Sequence, residues 1–154
     1  MKKLIINGGH ELTGTIKIGG AKNSVVALLP AAVLSKGKCK IYNVPNISDV
    51  KKLKEMLSIL GAEVTYENDE ILIDNKNLKN TEITKEYSST VRASYYFMGA
   101  LLGRYHKAEI SYPGGCVIGS RPIDFHINAF EKMGAKVEIE DTKYTITAED
   151  LHGA

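Results

Sequence analysis

The feature that most constrains the fold of this chain is an internal repeat. The run GKCKI at 37–41 recurs as HKAEI at 106–110, an offset of 69, and LGAEV at 60–64 recurs as MGAKV at 133–137, an offset of 73. Two copies of one supersecondary unit therefore account for most of the 154 residues. The second copy has gained four residues (73 minus 69) around 112–122. A loop lengthened in one copy only is a natural place for function.

Each copy is predicted to run helix, strand, helix and then two strands. In the first copy we expect a helix at 23–35 that Pro30 kinks or shortens, a strand at 38–42, a helix capped by Ser48 and closed by Gly61, and strands at 64–66 and 71–73. In the second we expect a helix at 89–104, a strand at 108–111, a helix carrying Ile123, Ile127 and Phe130, and strands at 137–139 and 144–146. Strands spread evenly between helices favour an α/β (α+β) fold in which sheets cover paired helices.

The two ends of the chain fall outside the repeat. Residues 4–6 and 15–18 are predicted to be two strands with no partner in either copy, and 148–154 contain a turn signal but no closing element. We therefore expect the chain to be a piece of a longer protein.

Composition excludes several classes of function. Twenty Lys and Arg against 18 Asp and Glu leave a formal charge of +2, too small an excess to indicate nucleic-acid binding. The sequence has no signal-peptide core and no apolar run long enough to span a membrane, so we expect a cytoplasmic protein without membrane contact. Cys39 and Cys116 are predicted to be free thiols, and neither they nor the four histidines have metal-ligand spacing, so no metal or cofactor is expected.

The run GAKNS at 20–24 places Lys22 and Asn23 at a predicted helix start. Free backbone N–H groups and the positive end of a helix dipole attract phosphate there, and Lys22 adds a full charge. A plain hinge and helix cap explains the same residues, so this run by itself leaves both interpretations open.

The lengthened loop contains PGGCVIGSRPID at 113–124, in which glycines flank one thiol and an arginine precedes a helix. Such a loop can be a reactive site at Cys116 and Arg121 or an ordinary connection around an inert cysteine. Arg92 is the one cation in an apolar stretch, where its guanidinium must find an anion. Asp49 opens a helix, where a carboxylate also has a purely structural use in the first turn.

These motifs together with VRAS at 91–94 resemble the UDP-N-acetylglucosamine 1-carboxyvinyltransferase family, the enolpyruvyl transferases of bacterial peptidoglycan synthesis, over essentially the whole chain. The resemblance implies an inside-out α/β barrel in which each of two domains contains three βαβαββ units. It implies that residues 1–20 belong to a far domain, that 21–85 and 86–150 are two of the three units of the near domain, and that 151–154 are a truncated end.

The resemblance also implies a reaction, the metal-free transfer of the enolpyruvyl group from phosphoenolpyruvate to the 3-hydroxyl of UDP-N-acetylglucosamine. It assigns phosphoenolpyruvate binding to Lys22, Asn23, Cys116 and Arg121, with Cys116 also catalytic and the target of fosfomycin. It assigns UDP-sugar binding to Arg92, Arg121, Pro122, Ile123, Asp124 and Phe125, and Asp49 resembles a family active-site acid.

We expect the 154 residues to be inactive alone, because a transition state needs both walls of a cleft. Pairing with a second copy is an expected consequence of the apolar surface that a missing domain would expose. The alternative interpretation is a stand-alone module that binds a UDP-sugar or a protein partner without catalysis.

Overall fold

The protein is described by a computed structural model that covers residues 3–114 and 122–154. The repeat is visible in the order of its helices and strands. The first unit contains α1 (Lys22–Ala31) with a 3₁₀ turn (Ala32–Leu34), β1 (Lys38–Ile41), α2 (Ser48–Ile59), β2 (Glu63–Glu67) and β3 (Glu70–Asp74). The second contains β4 (Glu82–Ile83), α3 (Lys85–Ser88), a 3₁₀ turn (Arg92–Tyr95), α4 (Tyr96–Tyr105), β5 (Lys107–Ser111), α5 (Asp124–Lys132), β6 (Lys136–Ile139) and β7 (Lys143–Thr147).

Each unit has its own sheet. In the first, β3 lies between β1 and β2 and pairs antiparallel with both. In the second, β7 lies between β5 and β6 in the same antiparallel arrangement, and β4 adds a parallel strand at the outer edge of β5. The α+β class expected from the sequence is confirmed, and the second unit has the order βαβαββ.

Helices from the two units share one core. Helix α1 packs against both α2 and α4, and α4 covers β5. The largest side chains of this core are fully buried and come from both units: Leu29, Leu53, Met56, Leu57, Leu60, Ile71, Ile73, Ile83, Phe97, Met98, Leu101 and Leu102. The helical spacing of Leu53, Leu57 and Leu60 therefore does mark a buried face, as predicted.

Helix α2 ends just before Gly61, as predicted, and α5 ends in the same way before Gly134. Gly61 and Gly134 have φ values of +103° and +94° and follow α2 and α5, where a left-handed residue ends the helix. Between β2 and β3, Asn68 and Asp69 also have positive φ, which is typical of a two-residue hairpin turn. Pro30 lies in the last turn of α1, and a 3₁₀ turn then replaces the α-helix, so the predicted shortening is confirmed.

Three local predictions were wrong. The helix expected at 89–104 is broken, because α3 ends at Ser88 and a 3₁₀ turn starts at Arg92 after an extended Val91. Ser48 does not cap α2 but is its first residue, with Ile47 at the N-cap and no side-chain cap bond. Residues 3–20 form no strand, and their aliphatic side chains are 80–94% exposed. A two-stranded ribbon with nothing packed on it is marginally stable in water, which explains that last difference.

One arginine joins the units through backbone contacts. The guanidinium of Arg104 in α4 donates to the carbonyl oxygens of Val33 and Ser35 at 2.7 and 2.6 Å and to that of Asn75 at 3.3 Å. All three acceptors belong to the first unit. Buried Asn75 donates in turn to the Ala32 carbonyl at 2.7 Å. The orientation of the two units is therefore fixed by directed hydrogen bonds as well as by apolar burial.

Candidate functional site

A cleft of about 530 Å³ lies where the two units meet, between the first turns of α1 and α2 and residues 90–96. We call it the inter-unit cleft. Its polar lining residues are Lys22, Asn23, Ser48, Asp49, Lys52, Thr90, Arg92, Tyr95 and Tyr96. Among these described residues, three cations face one carboxylate, which leaves an excess of positive charge. Such a cleft attracts an anionic ligand.

The ammonium of Lys22 and the carboxylate of Asp49 form an ion pair across the cleft at 2.7 Å. Lys22 is the first residue of α1 and Asp49 is in the first turn of α2, so both project from helix starts. Asp49 is about a fifth exposed and Lys22 more than half, which leaves the ammonium accessible to a ligand. Both candidate residues therefore lie in one site, although they are 27 positions apart (49 minus 22).

The opening run GAKNS also has a structural role. A side chain at Gly20 would collide with the backbone of Asn43, since an added Cβ would lie 1.7 Å from the Asn43 carbonyl oxygen. Helix α1 has Ala21 at its N-cap without a side-chain cap bond. Gly20 thus serves backbone packing, whereas Lys22 and Asn23 line the cleft.

The opposite wall is formed by the segment that begins the second unit's main helix. The guanidinium carbon of Arg92 lies 5.8 Å from the centre of the Tyr95 ring, within the range of a cation–π contact. Tyr95 also packs on the rings of Tyr96 and His126, at 4.5 and 5.1 Å between centroids. Burial, with the hydrogen bond to Tyr96, raises the pKa of Tyr95 above its usual value, so its phenol stays neutral at physiological pH.

Gly114 and the start of α5, the described residues on either side of 115–121, lie near this wall. On one side, Gly114 donates its N–H to the Ser88 carbonyl at 3.1 Å, and an added Cβ at Gly114 would lie 2.1 Å from the Ser89 carbonyl oxygen. On the other side, Ile123 is buried at the start of α5, and His126 contacts Tyr95. Only glycine fits the close approach at position 114.

Cys116 and Arg121 lie outside the described residues. Of their predicted neighbours, Pro122, Asp124 and Phe125 are exposed around the start of α5, Ile123 is 5% exposed in the core, and none of the four lines the inter-unit cleft. The structure thus brings together Lys22, Asn23, Asp49 and Arg92 and leaves the group 122–125 to one side.

Among the described residues that line the cleft, Lys52 is the charged one that sequence reasoning missed. It lies three positions after Asp49, so both are on one face of α2. Its ammonium donates to the Thr90 carbonyl at 2.6 Å, across 38 residues of sequence. The spacing from Asp49 was the only local signal, and three lysines within four positions at 51–54 obscured it.

In the ranges 3–114 and 122–154 no group of three or more His, Cys, Asp or Glu residues is placed to hold a metal ion. No helix of the described part of the chain has the length and apolarity needed to cross a membrane.

Comparison with known proteins shows the family to which the chain belongs. The family EPSP synthase (3-phosphoshikimate 1-carboxyvinyltransferase) matches residues 6–152. A UDP-N-acetylglucosamine 1-carboxyvinyltransferase 2 of Lactiplantibacillus plantarum is 47% identical over the whole chain and 37% of its own length. A UDP-N-acetylglucosamine 1-carboxyvinyltransferase of Clostridium botulinum is 49% identical over 99% of the chain and 37% of its own length. The chain thus spans little more than a third of the length of these relatives.

Solved structures show the same fold. The enolpyruvyl transferase NikO from Streptomyces tendae superimposes with a TM-score of 0.77 at 23% identity, over 94% of this chain and 32% of its own. EPSP synthase from Acinetobacter baumannii superimposes with a TM-score of 0.67 at 16% identity, over 92% of this chain and 33% of its own. At these identities the similarity concerns the arrangement of helices and strands.

Proposed function

Because the chain belongs to the enolpyruvyl (carboxyvinyl) transferase family, we propose that it supplies one wall of a site that joins phosphoenolpyruvate to UDP-N-acetylglucosamine. The observation that carries the proposal is the inter-unit cleft, where, among the described lining residues, Lys22, Lys52 and Arg92 face a single carboxylate. Both substrates are polyanions, and a cleft with excess positive charge matches them. The reaction is the first committed step of peptidoglycan synthesis, which takes place in the cytoplasm.

The proposed reaction needs a proton donor, a proton acceptor and neutralisation of phosphate. The sugar 3-hydroxyl oxygen adds to C2 of phosphoenolpyruvate and loses its proton, while the methylene carbon gains one. Loss of a proton from the new methyl group and of phosphate from C2 then restores the double bond. Every atom is accounted for without a metal or a redox cofactor.

We assign the phosphoenolpyruvate contacts to Lys22, Asn23, Cys116 and Arg121. Lys22 has an accessible ammonium at a helix start, and Asn23 follows it in the cleft. Arg121 would add a planar guanidinium that can hold two phosphate or carboxylate oxygens at once. Asp49, which is bonded to Lys22, is the acid of the site in the proposal.

Cys116 is assigned the protonation of the methylene carbon and is the expected site of alkylation by fosfomycin. Neighbouring cations would favour thiolate, whereas a proton donor must be a thiol at the moment of reaction. A bound phosphate dianion offsets those cations and restores the proton. The alkylation rate of Cys116 is therefore expected to depend on pH and on bound phosphoenolpyruvate.

The UDP-sugar contacts are assigned to Arg92 and to Arg121, Pro122, Ile123, Asp124 and Phe125. Arg92 supports this assignment because it lies on the second-unit wall of the cleft, beside Tyr95. The residues that follow Arg121 begin α5, whose His126 contacts the same tyrosine. Through that ring contact the start of α5 lies beside the wall that carries Arg92, which supports assigning both groups to one extended ligand.

The deciding experiment measures binding and phosphate release separately. UDP-N-acetylglucosamine and phosphoenolpyruvate are titrated into the 154-residue chain by calorimetry. Phosphate release is then followed for the chain alone and for the chain supplemented with the part of the Clostridium botulinum relative that it does not cover. We expect weak binding alone and turnover only in the supplemented mixture. Tight UDP-sugar binding with no turnover in either case would favour a binding module instead.

Lys22→Ala is the first variant to test in this assay, with Lys38→Ala as its matched control. Both lysines form an ion pair with an aspartate, but Lys38 pairs with Asp74 at the outer end of the first sheet. Loss of a charged hydrogen bond to the ligand should weaken phosphoenolpyruvate binding about 10-fold or more in Lys22→Ala. Equal affinities in the two variants would exclude Lys22 from the site.

A further inference from the structure

A lysine on one unit holds the backbone of the other beside the inter-unit cleft. Lys52 projects from α2 of the first unit, and its ammonium donates to the carbonyl oxygen of Thr90, two residues before Arg92, at 2.6 Å. Lys52 is partly buried, whereas Lys51 beside it on α2 is exposed. The Lys52 ammonium therefore makes a specific hydrogen bond across the junction between the units and is not simply solvated.

The repeat explains why Thr90 needs this donor. At the offset of 69, Thr90 corresponds to Ala21, whose carbonyl accepts the N–H of Val25 and so begins α1. In the second unit the 3₁₀ turn begins one residue later, because Ser94 donates its N–H to Val91. The N–H of Ser94 thus bonds to Val91 and not to the Thr90 carbonyl. The Lys52 ammonium donates to that carbonyl in place of a helical N–H.

The rest of Thr90 is fixed on the other side of the break. Its N–H and hydroxyl both donate to the Tyr87 carbonyl, at 3.0 and 2.7 Å, which ties it to α3. Val91, which follows, is extended and 5% exposed. Lys52 therefore completes a set of contacts that determines where the chain turns into the segment carrying Arg92.

We infer that Lys52 is a positioning residue: by holding the Thr90 carbonyl, it fixes the backbone turn from which Arg92 enters the cleft. The inference rests on the proposed function, in which Arg92 contacts the UDP-sugar. Lys52 acts through the backbone and also contributes a positive charge to the lining of the cleft. The side chain of Arg92 has interactions of its own. The contribution of Lys52 is to fix the position of the main chain from which Arg92 projects.

The test combines a reporter that needs no ligand with a binding measurement, both on the 154-residue chain. Lys52→Met removes the ammonium and keeps an unbranched apolar side chain, Lys51→Met is the matched control on the same helix, and Lys52→Arg restores a cationic donor. The reporter is the Nε–Hε resonance of Arg92 in ¹⁵N NMR spectra, assigned by its loss in Arg92→Lys. Should Lys52→Met fail to fold, Lys52→Gln provides the same comparison.

We expect the Arg92 resonance to shift or broaden in Lys52→Met but not in Lys51→Met. UDP-N-acetylglucosamine should bind about 10-fold more weakly to Lys52→Met and recover most of that loss in Lys52→Arg. An Arg92 resonance and an affinity that match those of Lys51→Met would overturn the inference. If the wild-type chain neither binds the UDP-sugar nor shows turnover in the supplemented mixture, the proposed function fails, and the resonance alone decides the role of Lys52.

Discussion

At the scale of single residues, the charge of the inter-unit cleft depends on one carboxylate. Asp49 is the acid among the described lining residues and is bonded to Lys22 at 2.7 Å. An ion pair whose lysine is more than half exposed adds little to stability, at most about 1 kcal/mol. Under the proposed function the pair therefore affects ligand binding more than folding.

The variant Asp49→Asn tests whether the ion pair affects ligand binding more than stability. We expect a change in unfolding free energy below about 1 kcal/mol. Phosphoenolpyruvate affinity at low salt should rise about 3-fold, because a negative charge roughly 6 Å from an anion costs about 0.7 kcal/mol in water. The gain should disappear as salt screens the charge. Calorimetric titrations at two salt concentrations measure it, and Glu70→Gln, which breaks the surface pair with Lys40, is the control. A weaker affinity at low salt would instead mean that orienting Lys22 outweighs charge.

At the scale of elements, the ends of the helices determine which residues face the cleft. Helix α2 places Asp49 and Lys52 in its first turns and ends at a left-handed Gly61. An added Cβ at Gly61 would lie 2.6 Å from the Asn77 carbonyl oxygen, so both its backbone conformation and its surroundings require glycine. The contact of Gly61 with Asn77 thereby helps to fix the position of α2, and with it the positions of Asp49 and Lys52.

Gly61→Ala should therefore destabilise the protein by about 1–3 kcal/mol, through strain at positive φ and the close contact with Asn77. Gly37→Ala is the matched control, because an added Cβ there would have nothing within 4 Å. Urea unfolding followed by circular dichroism gives both free energies. Equal midpoints for the two variants would contradict the steric argument.

At the scale of the whole molecule, the cleft exists because two similar units are joined at a fixed angle. Arg104 is central to that junction, since its guanidinium bonds three backbone carbonyls of the other unit. Its position in α4 links the helix that follows Arg92 to the end of α1. The geometry of the cleft therefore also depends on the hydrogen bonds of Arg104, which does not line it.

Arg104→Met should lower the free energy of unfolding by about 2–4 kcal/mol, because it leaves partly buried carbonyl oxygens without their donor. Arg104→Lys should lie between the wild type and Arg104→Met, since it keeps the charge but not the planar fork. Thermal unfolding together with UDP-sugar titration separates loss of stability from loss of the cleft. A melting temperature unchanged in Arg104→Met would show that apolar packing alone joins the units.

Much of this architecture is determined locally. Backbone conformation and periodic burial are determined by residues close together in the sequence. They account for the repeat, the apolar spacing of α2, the hairpins and the helix-ending glycines. Lys22, Asn23 and Arg92 were recognisable for the same reason, as polar residues at helix starts or in apolar stretches.

Only the tertiary structure decided the rest. Residues 3–20 contain two short apolar segments typical of strands, yet form none, because a strand needs a partner that local sequence does not specify. The contact between Lys52 and Thr90, beside the break between Ser88 and Arg92, joins residues 38 positions apart. A contact of that kind has no local signature, because its free energy comes from how the two units are packed together.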